Sequence, residues 1–107
     1  MTDKDRCVEK AHALADELYA RYGAKFSCIC GAGAEVYFEL TKYGAPCIHI
    51  NGNIIDDNYC VHAWANERAR EYLYSSGYND IPKPVMILVL DKLLKRKVHP
   101  TKQMELF

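Results

Sequence analysis

The sequence predicts an α+β domain of order α-β-β-β-β-α-α, a four-stranded antiparallel meander with its helices packed on one face. Three patterns predict it: a capped helical stripe at the start, period-two segments in the middle, and an apolar run behind two prolines near the end. A chain of 107 residues has room for one core, expected over residues 1–98, followed by a tail over 99–107.

Thr2 and Asp5 have the spacing of a capping box, in which hydroxyl and carboxylate each satisfy a backbone N–H. Val8, Ala11, Ala15, Leu18 and Tyr22 recur on one stripe and Gly23 supplies a stop, so residues 4–22 are expected to be helical. Four short runs then read as strands. Phe26, Cys28 and Cys30 alternate with Ser27 and Ile29, and Val36, Phe38 and Leu40 alternate with Glu35, Tyr37, Glu39 and Thr41. Turns are expected at 31–34 and 43–46. Residues 47–50 and 53–55 flank Asn51-Gly52, a pair suited to the positive φ angles of a two-residue hairpin. Connections this short exclude crossovers, which makes the sheet antiparallel.

Asp57 or Asn58 caps an expected second helix that buries Val61, Ala65, Ala69, Tyr72 and Leu73 and stops at Gly77. Beyond Pro82, the run from Val85 to Lys97 fits a helix or a strand leading into one. Pro84 suits a first helical position, and length favours the helix.

Lysine plus arginine equals aspartate plus glutamate, 14 each, so no global field draws in nucleic acid or a membrane. The charge is unevenly spread, however: residues 81–107 hold six basic side chains against two acids, leaving +4 there and −4 over residues 1–80. Residues 2–10 are charged where the apolar stretch of a secretory leader would sit, and the longest apolar run, Val85 to Leu90, is far short of a membrane span. Five cysteines, an odd number in a chain large enough to fold without disulfides, fit reduced thiols in a cytoplasm.

Cys28-x-Cys30, Cys47-x-His49 and Cys60-x-His62 offer soft ligands of the type zinc prefers. The pleat opposes a common site. Cys28 and Cys30 share the face of Phe26, assigned to the core, whereas Cys47 and His49 alternate with Ile48 and Ile50 and should face away. Cys28 and Cys30 are therefore expected to be buried and unligated, and Cys47, His49, Cys60 and His62 remain minor metal candidates; no cofactor is expected. Cys60 and His62, two apart at the start of an expected helix, would not face each other. Gly31-Ala32-Gly33 lacks the residues that complete a phosphate loop and is read as a strand turn; Asp56-Asp57 is read as turn and cap. Tyr37, Glu39 and His49 fall on the side of the sheet opposite Val36, Phe38 and Leu40. That side is either a partner-contact surface or simply solvated, two readings of equal standing. Lys92, Lys95, Arg96 and Lys97 could touch phosphate weakly, but basic residues ending a helix also complement its dipole.

The sequence ends Gln103-Met104-Glu105-Leu106-Phe107, behind Pro100 and a polar lead-in. This pentapeptide resembles the bacterial sliding-clamp-binding motif: Gln, then Leu or Met, a variable residue, Leu and Phe. Average residue frequencies give such a match in about a few of 1,000 chains. The resemblance implies that Gln103 is a polar anchor, that Met104 fills a smaller pocket, and that Leu106 and Phe107 fill a deeper one. It covers five of 107 residues and implies nothing about the fold of the rest. The expectation is a small adaptor of a bacterium, phage or mobile element that docks on the replication clamp through a mobile tail. The competing classes are an enzyme or small-molecule binder using the Cys/His pairs, and an oligomer whose tail packs on a neighbouring subunit.

Overall fold

The computed structural model describes residues 2–31, 33–40, 46–66, 68–77 and 79–98, without the side chains of 3 and 95–98. The expected turn over 43–46 and the tail over 99–107 lie outside the described residues in whole or in large part. The chain is an α+β fold: α1 (Asp3–Tyr22), five antiparallel strands β1 (Ser27–Cys30), β2 (Glu35–Leu40), β3 (Cys47–Asn53), β4 (Asn58–Trp64) and β5 (Tyr72–Ser75), a short β6 (Ile81–Pro82), and α2 (Lys83–Val98). The sheet order is β1-β2-β3-β4-β5, and β6 pairs with β4 beyond the end of β5.

Helix α1 begins as its first residues dictate. Thr2 Oγ1 accepts from the Asp5 N–H at 3.1 Å, and Asp5 Oδ2 accepts from the Thr2 N–H at 3.3 Å. Gly23 ends it at φ 66°, donating its N–H to the Tyr19 carbonyl. The buried stripe is Cys7, Ala11, Leu14, Leu18 and Tyr22, with Val8 and Ala15 at its margin. On α2, Met86, Leu90 and Leu94 are buried one turn apart. These stripes cover Phe38, Ile48, Ile50, Val61 and Ala63 on one face of the sheet.

Two expectations are corrected. The helix expected from 57 to 77 does not form; its residues make β4 and β5, and because the runs 47–50 and 53–55, expected as two strands, give the single strand β3, the meander has five strands where four were expected. Asn58–Trp64 carries period two as well as a helical stripe, with Tyr59, Val61 and Ala63 buried against Cys60, His62 and Trp64 half-exposed. The seven-residue ladder with β3 satisfies both backbones and decides between the two patterns. Ala65 is exposed in the β4–β5 loop, and Tyr72 and Leu73 are more than half exposed on an edge strand.

Asn51-Gly52 is likewise not a hairpin tip. It lies inside β3, where Gly52 pairs with both Val36 and Tyr59. The turn comes later, over residues 54–57: Asn53 Oδ1 accepts from the N–H groups of Ile55 and Asp56 at 2.9 Å each, and Asp57 takes φ 56°. Glycine at 52 answers a close approach, since a Cβ there would sit 2.1 Å from the Asn58 carbonyl oxygen.

The helices are tied at their rim. Arg21 Nε donates to Asp91 Oδ1 at 3.0 Å, the Tyr22 hydroxyl donates to the same oxygen at 2.8 Å, and Lys83 Nζ meets Glu17 Oε1 at 2.9 Å. The hydrogen bond from Arg21 and then that from Tyr22 hold the Asp91 carboxyl below the usual carboxylate range.

Two outcomes follow from this packing. Gly52→Ala should cost about 1–3 kcal/mol in urea unfolding, because the added methyl meets backbone that cannot give way. A depressed carboxyl stabilises the fold fully above its unfolded pKa, and that stability is lost as pH falls through the lower folded value. Thermal melts of Asp91→Asn should therefore lie below those of the parent at neutral pH, with the gap closing in strong acid.

Candidate functional site

Both helices pack on the same side of the sheet, and among the described residues no element covers the other side. Strand alternation places Glu35, Tyr37, Glu39, His49, His62 and Trp64 there, with Tyr72 and Ser75 from the edge strand. Register aligns one polar row straight across five strands: Ser27, Glu39, His49, His62 and Ser75 are successive cross-strand partners. Beside it runs the row Cys47, Trp64 and Tyr72.

The rings form a continuous strip. Tyr37 meets His49 at 5.5 Å between centroids, His49 meets Trp64 at 4.8 Å, and Trp64 meets Tyr72 at 5.0 Å. His62 closes on Tyr72 at 5.3 Å. The contacts of Tyr37 and Trp64 with His49 are edge-on, at 63° and 65°, whereas Trp64 and Tyr72 are tilted at 42°. Polar atoms join the row at both ends. Glu39 Oε2 lies 3.5 Å from His49 Nε2, and Ser75 Oγ, which accepts the Gly77 N–H, lies 2.8 Å from His62 Nδ1. Burial raises the Tyr37 hydroxyl pKa and the Glu39 charge adds to it, so Tyr37 stays protonated. A cleft of about 470 Å³ continues the face past Tyr37, lined by Ile29, Glu35, Asn51, Asn53 and Asp80 among others.

Tyr37, Glu39 and His49 thus stand together on the uncovered face. Sequence reasoning misses His62, Trp64, Tyr72 and Ser75 as their neighbours, because the apolar spacing over 57–77 predicts a helix there. The alternation of Tyr59, Val61 and Ala63 with Cys60, His62 and Trp64 was the signal that could have found them.

The metal candidates share this face but do not converge. His49 and His62 are direct partners, while Cys47 lies in the Trp64 row and Cys60 in the Asn51 row, one on each side. Among the described residues no three His, Cys, Asp or Glu side chains are placed to hold a metal ion. Cys47 is buried on the open side of the sheet. Cys28 and Cys30 point toward the core as expected, yet are half-buried, because β1 is an edge strand.

Thiolate chemistry is disfavoured at three of the thiols. Burial and then the neighbouring Cys30 push the Cys28 thiol up to about 11; burial raises Cys7; burial and then a hydrogen bond to Asp80 raise Cys60. Nor do Ser75 and His62 form a nucleophilic triad with the row's carboxylate, since Glu39 pairs with His49 one strand away.

An aromatic, hydrogen-bonding sheet face is suited to binding. Searches of protein-family models, of curated proteins and of solved structures find no match to this chain. No helix among the described residues is long and apolar enough to cross a membrane.

With its thiol raised from 9.0 to about 11, Cys28 carries on the order of 100-fold less thiolate at neutral pH than an ordinary cysteine. Alkylation at pH 7.5, followed by peptide mass spectrometry, should modify Cys28 and the buried Cys7 at least about tenfold more slowly in the native protein than in urea.

Proposed function

We propose that this chain is a small adaptor that docks on a bacterial replication sliding clamp through Gln103, Met104, Leu106 and Phe107, while its open sheet face takes a second partner. The pentapeptide carries the proposal. Its order of one amide, one flexible apolar side chain and a terminal aliphatic-aromatic pair fits a groove with one polar and two apolar subsites. The body contributes a binding surface in the strip from Tyr37 to Tyr72. A linear peptide of this size buries little area and gives up chain entropy, so the affinity belongs in the micromolar range, about −8 kcal/mol.

One observation favours a second reading, in which the tail packs on a groove of this domain, in its own copy or a neighbouring one. Leu73 and Tyr74 of β5 and Val85, Leu88, Val89 and Leu93 of α2 line an apolar groove of about 400 Å³, with Leu73 56% and Leu88 61% exposed. Leu106 lies eight residues beyond Val98, a reach of up to about 27 Å, whereas Leu88 is ten helical residues back, about 15 Å. The groove is within range of the tail of its own copy or of another.

Surface plasmon resonance on an immobilised clamp separates the two. Leu106→Ala with Phe107→Ala should abolish clamp binding and leave the melting temperature within about 1 °C, since surface changes move stability little. Leu88→Glu should leave clamp binding unchanged. A loss of several kcal/mol in the double variant, or dissociation of an oligomer by Leu88→Glu, would establish the tail as packing material for the groove.

A further inference from the structure

We propose that the open sheet face binds an arginine-bearing segment of a partner protein. This gives a chemistry to the second contact of the adaptor and rests on the reading of that face as a contact surface. Strands β1 to β5 contain no lysine or arginine. Their two acids, Glu35 and Glu39, both point to the open side, and Asp80 joins Glu35 at the cleft beyond Tyr37. Arg68 and Arg70 lie in the loop that joins Trp64 to Tyr72, off the strands. The face therefore combines π-surfaces with negative charge.

That combination selects among ligands. A single-stranded nucleic acid would find rings to stack on but would bring its phosphates against Glu35, Glu39 and Asp80 with no strand lysine or arginine to meet them. A guanidinium gains from both features: its plane stacks on an indole or phenol ring, and its fork of N–H groups fits a carboxylate. Tyr72 is 53% exposed and the Glu39 side chain 37% exposed, so both are reachable from solvent. They lie on strands three apart in the sheet, roughly 14 Å across, so a segment with several basic side chains is needed to engage both.

Trp64 is the single tryptophan of the chain and sits within the strip, so its fluorescence reports on the face directly. The full-length chain is titrated with hexa-arginine, hexa-lysine, hexa-glutamate and a thymidine hexanucleotide at low ionic strength. Saturable quenching by hexa-arginine is expected, about threefold or more tighter than by hexa-lysine. Glu35→Gln with Glu39→Gln should weaken it about three- to tenfold, and Tyr72→Ala should erase the preference for arginine over lysine. Both sets of changes are at exposed or half-exposed positions, and circular dichroism checks that each variant remains folded.

Equal response to arginine and lysine in the parent would reduce the effect to diffuse charge and overturn the proposal, as would quenching by the oligonucleotide or no response to hexa-arginine. Self-quenching with rising protein concentration, abolished by charge reversal at Lys95, Arg96 and Lys97, would make a second copy the occupant and overturn it too. Clamp binding by the tail is read in a separate assay without these peptides, so the failure of either proposal leaves the other standing.

Discussion

Ile48 and Ile50, both fully buried under the helices, sit on the central strand, and their burial sets the register of everything around them. Side chains on a strand alternate, so fixing these two inward fixes His49 and Asn51 outward; a slip of one residue would exchange the faces. β2 and β4 pair on either side, and Phe38 and Val61 flank Ile50 on the core side. The same register carries Glu39 and His62 to either side of His49. The polar row and the aromatic strip are thus a consequence of how the core is packed, fixed as firmly as the core itself.

The elements legible in the sequence were those in which one pattern had no rival. Thr2, Asp5 and Gly23 bracket a helix by local chemistry alone, and Glu35–Leu40 alternates too cleanly for another reading. Failures came where two patterns overlapped. Val61, Ala65, Ala69 and Tyr72 recur at helical spacing, and only the ladder with β3, contacts remote in sequence, makes Asn58–Trp64 a strand. Asn51-Gly52 misled similarly: local chemistry permits a hairpin there, but the backbone approach at Asn58 gives the glycine another use. The site was half legible for the same reason. Tyr37, Glu39 and His49 lie on strands read as strands, whereas His62, Trp64 and Tyr72 lie in the misassigned stretch. The pleat separates Cys47 and His49 from Cys28 and Cys30 in the sequence as in the structure, but that Cys60 and His62 share a face with Cys47 and His49 is visible only once β4 is a strand.

The helices are positioned by apolar stripes that permit some sliding, and the charges at their rim remove that freedom. Glu17 meets Lys83 and Arg21 meets Asp91. Exposed pairs of this kind add little stability. Their order matters more, because displacing α2 along α1 would bring Glu17 toward Asp91 or Arg21 toward Lys83, like against like. Tyr22 strengthens the alignment, since its buried ring belongs to the core while its hydroxyl reaches both Asp91 and the Ile87 carbonyl.

This alignment bears on how two contacts could coexist on so small a body. α2 belongs to the helical layer, and its last residue, Val98, stands in sequence shortly before Gln103 to Phe107. The aromatic strip lies across the sheet, facing the opposite way. In the proposed function, a partner held on the strip would leave the helical layer, where α2 ends, uncovered. Under the proposed function the two contacts are independent: an adaptor that bridges two separate partners gains no effective concentration from its own rigidity, because the second encounter becomes intramolecular only where the partners are already joined. The charge asymmetry along the sequence does not follow this division: Asp5, Glu9, Asp16 and Glu17 lie on α1 in the helical layer, and Glu35 and Glu39 are the two acids that the strands carry on the open side.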